Sequence, residues 1–234
     1  MWTRSRVVFA VTAVLAGVSP AGADCQADRF RAADRYTTCR HRASVRFPPN
    51  PTNITDYQNV IRRCTTRYLA AWPKIQARAA GTTSPCNGPR FVDNANGTVT
   101  DNLTGLQWEQ KTDDSSIHDK DNRYTWSATG TAADGSGFLT FLATLNQSGS
   151  CTAGQCDWRL PTPGELQTTL VALPCPTDPC IDQSIFGPTL SFPFWSSMTA
   201  PDPSTAWALS FVGGGEFTSG KDVLYCARAV RGGL

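Results

Sequence analysis

Nine cysteines behind an export leader constrain this chain more than any other feature, because they set both the compartment in which it folds and the staples available to it. Arg4 and Arg6 precede an apolar run from Val7 to Val18, and Ala21, Gly22 and Ala23 are the small residues that a signal peptidase reads. The run is too short to span a bilayer, so residues 1–23 are expected to be a cleaved signal peptide. An acidic Asp24 before Cys25 argues against a lipid anchor, and no other stretch is apolar enough for a membrane span. The mature chain is expected in the periplasm or outside the cell, where cysteines oxidise to disulfides. Zinc suits them poorly: the sequence has two histidines, His41 and His118, and no Cys-x-x-Cys pair.

Residues 24–80 read as an α-helical hairpin. The second helix carries Tyr57, Val60, Ile61, Cys64, Tyr68, Trp72 and Ile75 at three- and four-residue spacing, opened by a Thr55/Gln58 capping box. The first sets Phe30, Ala33, Tyr36 and Cys39 on one side and arginines on the other, and Pro48, Pro49 and Pro51 break the chain between the two. Antiparallel packing would bring Cys39 to Cys64 and Cys25 to Cys86, staples that so small a unit needs. Charge is divided unevenly, with 11 Lys/Arg against 4 Asp/Glu over 24–89 and 8 against 15 over 90–234. The arginines are thus a polyanion-binding face, a solvated helix surface, or a surface that docks on the acidic remainder.

A Gly/Thr/Ser/Pro linker over 81–89 leads into a domain over 90–234. Asn96-Gly97, between Phe91-Val92 and Thr98-Val99, predicts a hairpin with a type I′ turn, both central residues at positive φ. The next strand ends at Trp108, and a polar loop runs from Lys111 to Arg123. A helix follows from about Gly137 to Asn146 with Phe138, Phe141, Leu142 and Leu145 inward, then strands over 194–197, 205–211, 216–219 and 224–230. Cys151 and Cys156 flank four residues, as do Cys175 and Cys180, and each pair predicts a local disulfide. Helices early and strands late give an α+β architecture.

The densest local signal is Cys156 to Leu166. Thr162 stands before Pro163 and three residues ahead of Glu165, a capping box that starts a helix with Leu166, Leu170 and Leu173 on its apolar face. Trp158-Arg159-Leu160 enters it extended, as the prolines enforce. Together with 90–108 upstream, and with Phe194-Trp195-Ser196-Ser197, Ala206–Phe211 and Ala227–Gly232 downstream, this stretch resembles the C-terminal domain family of the Legionella collagen-like adhesin over about 90–233. The resemblance implies a C-type-lectin-like fold and, as ligands, acidic or sulfated glycans at a host or matrix surface. The chain has no collagen repeats. Members of the family carry a cysteine on the first domain helix where this chain has Leu142, which would leave Cys226, the ninth, without an internal partner.

No catalytic constellation stands out: His118 is the only histidine of the second domain, and no phosphate-cradling glycine loop is present. The formylglycine-generating enzymes share a related fold and act through a pair of C-terminal cysteines, of which only Cys226 has a counterpart here. Trp158, Trp195 and Trp207 are candidates for stacking on sugar rings, although each sits in a motif that defines the fold and so suits core packing. Asp113, Asp114, Asp119, Asp121 and Asn122 are candidate oxygen ligands for Ca²⁺ within one segment, against the reading of a solvated acidic loop. The sequence is expected to encode an exported, non-catalytic binding protein for an acidic glycan or a surface partner, with no nucleic-acid role. The competing expectation is a structural or assembly module of the envelope that binds a protein.

Overall fold

The computed structural model describes residues 20–48 and 54–233, with side chains from Cys25 onward. The expected leader therefore lies outside the described residues up to position 19, and so do Pro49 and Pro51 between the helices. Among the described residues no helix is long and apolar enough to cross a membrane.

Helix α1 (Pro20–Arg46) is followed by α2 (Ile54–Leu69) and α3 (Ala71–Ala79). The break at Ala70 corrects the expected single second helix: Pro73 has no N–H to donate, and its ring would clash with the Leu69 carbonyl one turn earlier. Since α2 begins at Ile54, Thr55 lies inside the first turn instead of capping it. Phe30 is exposed, while Tyr36, Cys64, Tyr68, Trp72 and Ile75 form the helical core. Cys39 joins Cys64 with Cα atoms 5.8 Å apart, and Cys25 joins Cys86 at 6.3 Å. The second bridge anchors the segment after α3, where Ser84 caps a short 3₁₀ turn over Pro85–Asn87.

The rest of the chain is α+β. Strands β1 (Phe91–Asp93), β2 (Thr98–Asp101), β3 (Leu106–Glu109) and, last in the chain, β7 (Val230–Gly232) form an antiparallel sheet in the order β1-β2-β3-β7. A second sheet holds β4 (Pro193–Thr199), β5 (Thr205–Ser210) and β6 (Glu216–Gly220). Between them come a π-helical turn over Gly137–Leu142 that runs into α4 (Ala143–Leu145), then α5 (Pro163–Thr168) and α6 (Gln183–Phe186). The β1–β2 turn differs from expectation in placing positive φ at Ala95 and Gly97, not Asn96, because the Asp93 carboxylate accepts the Ala95 N–H at 2.8 Å and shapes the loop locally. The α5 capping box forms, but the helix stops at Thr168. Leu170 leaves it to bridge with Ile181, and both bury in the core with Leu166, Trp108, Phe186 and Phe194. The chain over 224–229 likewise meets its neighbours by single bridges, Tyr225 to Tyr124 and Cys226 to Phe194, in place of the expected strand.

The helical hairpin docks on this body through one face. Arg40 of α1 reaches the first residue of β6, its guanidinium donating to the Glu216 carboxylate at 2.8 and 3.2 Å. Gly164 at the start of α5 lets it pass, since a Cβ there would lie 3.1 Å from the Arg40 Nε. Gln58 donates to the Glu216 carbonyl at 2.5 Å, Tyr36 to that of Gly164 at 3.2 Å, and Thr65 meets Gln167 at 3.3 Å. Tyr57 and Ile61 close the seam against Trp207.

Candidate functional site

The three tryptophans singled out by sequence all stand inside. Trp158 is 3% exposed, Trp195 0% and Trp207 5%, and the first two spend their indole N–H groups on the Thr152 and Tyr124 carbonyls at 3.0 and 2.9 Å. Trp207 faces Tyr57 across the seam with ring centres 5.5 Å apart. None of the three offers an open ring face to a sugar.

The acidic loop brings three of its five candidates together. Oxygen atoms of Asp113, Asp119 and Asp121 lie within 4.8 Å of one another. A cation of the chain's own already serves them: the Lys120 ammonium bridges Asp113 and Asp121 at 2.7 and 2.9 Å. Asp119 accepts the N–H groups of Asp114, Ser115 and Asp121 at 2.6–2.8 Å, and these hold its carboxyl below the usual carboxylate range. Asp114 is turned to Thr112 and Ser116, and the Asn122 amide donates to the Ser116 carbonyl at 2.7 Å. With its oxygens so committed, the loop is expected to leave the melting temperature equal in millimolar calcium and in chelator. A stabilisation of about 2.7 kcal/mol at a hundredfold excess over the dissociation constant would show instead that calcium displaces Lys120.

Beside this loop lies a buried charge centre that sequence reading missed. The Glu109 carboxylate, wholly buried at the end of β3, accepts from Lys111 at 2.9 Å and from the Ala229 N–H at 2.9 Å, and lies 2.8 Å from the His118 Nδ1. Arg228, also wholly buried, donates to the Glu109 and Phe186 carbonyls at 2.7 and 2.9 Å and to the Thr189 hydroxyl at 2.7 Å. Burial by itself would raise the Glu109 carboxyl, but Lys111 and His118 hold it below the ordinary range. Burial lowers Lys111 against the pull of Glu109. Gly187 is required for this approach: it has φ +75°, and a Cβ would lie 2.0 Å from the Lys111 carbonyl oxygen.

Cys226 is 1% exposed and free, and burial pushes its thiol up to about 11, which disfavours the reactive thiolate. The other eight cysteines are bridged, with Cys151–Cys156 and Cys175–Cys180 closing at Cα separations of 5.1 and 5.4 Å, so no second thiol stands beside Cys226. Disulfides of this number belong to chains that fold outside a reducing cytosol.

The open side of the helical hairpin is a groove of 990 Å³ between α1 and the α2–α3 pair. Seven cations line it, and two of them, Arg31 and Arg78, share Asp28. Arg35, Arg42, Arg46, Arg67 and Lys74 have no ion-pair partner among the described residues. The arginines of α1 therefore divide by face: Arg40 docks on the acidic body as one of the three expectations had it and Arg29 donates to the Leu103 carbonyl at 3.2 Å, while Arg31, Arg35, Arg42 and Arg46 rim a concave, positively charged track.

The sequence profile of the Lcl C-terminal domain matches residues 97–231. The chain belongs to that family. No curated protein matches the chain. The Lcl domain spans the acidic loop, the buried charge centre and all three tryptophans, and it points to a non-catalytic, adhesin-like role. The arginine groove lies wholly on residues that precede the matched Lcl domain.

Proposed function

We propose that the chain is an exported, non-catalytic binding protein of the adhesin type that recognises an acidic partner at a surface, and that the groove on the helical hairpin is where it does so. Five unpaired cations around one concavity support the reading. Acidic or sulfated glycans suit them, as does an acidic protein of the envelope, and the apolar floor of the groove favours the latter. The lectin-like domain acts in this reading as the rigid body that presents the groove, its own aromatic side chains being spent on packing.

The test is binding of the full chain to a sulfated polysaccharide such as heparin over a range of salt concentrations. Affinity should fall as salt rises, because the exposed charges are screened. Each cation facing an anionic surface contributes on the order of 1 kcal/mol, so the triple variant Arg42→Gln, Arg46→Gln, Arg67→Gln should bind about a hundredfold more weakly. Salt-insensitive binding, or a triple variant that binds like the parent, would place recognition elsewhere.

A further inference from the structure

We infer that the occupant of this groove is an acidic amphipathic helix of a partner protein, an inference that rests on the groove being the binding face. Its shape and chemistry are set by the three helices that enclose it. The hairpin spends its other face on the body of the protein through Arg40, Tyr57 and Thr65, which leaves the track between α1 and α2–α3 as its free concavity. Two packed helices present such a track to the side-chain ridge of a third.

The floor decides between kinds of polyanion. Ala32, Cys39, Phe47, Val60 and Ala71 line it half-buried, and the Cys39–Cys64 bridge crosses it. Arg35, Arg42 and Arg46 stand on one rim, with Arg67 and Lys74 on the other. A sulfated glycan would use the rims and gain nothing from the floor. A helix with an apolar stripe flanked by carboxylates uses both, which is the recognition mode of a helix laid in a groove. The acids on the lining do not offset the rims, since Asp28 is held by Arg31 and Arg78 and Asp34 alone remains. From Arg31 to Arg46 the track follows α1 for about 22 Å at the rise of an α-helix, enough for about four turns of a partner.

The experiment titrates the full, oxidised chain with three probes: a synthetic acidic amphipathic peptide of about four turns, the same peptide with its apolar stripe changed to serine, and heparin. The amphipathic peptide should bind at least about tenfold more tightly than its serine counterpart, and Arg67→Glu should weaken it by a similar factor. Val60→Ser should weaken the peptide and leave heparin unaffected, its melting temperature reporting that the fold is kept. Equal binding of the two peptides would overturn the helix while heparin binding kept the groove as a polyanion site. Loss of all three ligands, or an Arg67→Glu chain that binds the amphipathic peptide unchanged, would overturn both.

Discussion

Replacing Glu216 by glutamine is expected to destabilise the protein by about 3–5 kcal/mol, because it leaves the Arg40 guanidinium in a largely buried seam with no opposite charge. Arg40 is 17% and Glu216 1% exposed, and the pair lies where hairpin and body meet. Burial alone would weaken the hold of Arg40 on its proton, and Glu216 more than reverses this. For a chain of this size the loss corresponds to a fall in melting temperature of roughly 6–20 °C. The place of the damage is part of the expectation: amide exchange should accelerate in α1 and α2 and stay slow in β2 and β3. Replacing both partners, Arg40→Met with Glu216→Leu, should recover much of the stability, since two apolar groups leave no charge unpaired. A single variant that melts like the parent would show that Tyr57, Ile61 and Trp207 hold the seam without the pair.

The second large effect is expected at Glu109. Its replacement by glutamine strands Lys111 and Arg228 in the interior with no carboxylate, again at a cost of about 3–5 kcal/mol. The pair Glu109→Gln, Lys111→Met should be markedly more stable than the single variant. The pH dependence follows from the lowered Glu109 carboxyl. In the unfolded chain a glutamate titrates at about 4.3, so its contribution is fully present above that value and is lost as pH falls through the lower folded value. Urea midpoints of the parent should therefore drop on acidification below about pH 4, and the Glu109→Gln chain should show a shallower drop. Parallel acid limbs in the two proteins would assign the acid sensitivity to other carboxylates.

Apart from the two long-range disulfides of the hairpin, what could be read from the sequence was local. Thr162 and Glu165 lie three residues apart and their mutual capping depends on nothing beyond themselves, so the start of α5 was legible. Its end was not, because Leu170 is drawn off the helix by Ile181 and the core around Phe186. The break before Pro73 was written in the sequence and overridden by an unbroken apolar period on either side of it. The buried charge centre escaped because Glu109, Lys111 and His118 read as a polar strand end and loop until the distant Arg228 joins them: Glu109 and Arg228 meet only once β7 has been added to β3. The arginine groove was half legible, since composition put the cations on the hairpin but packing decided which of them face the body and which remain open.

The bridge between Cys25 and Cys86 also fixes how the molecule carries tension. A pull applied at Cys25 and at Gly232 does not travel through the hairpin, because the disulfide passes the force straight to the segment that enters β1. From there it crosses β1, β2 and β3 to β7, the strand that holds Gly232. The strands on the stressed path thus belong to one sheet, with the second sheet, α1 beyond Cys25, α2 and α3 hanging beside it. The cationic groove, set on the bypassed helices, keeps its shape while that path is under strain.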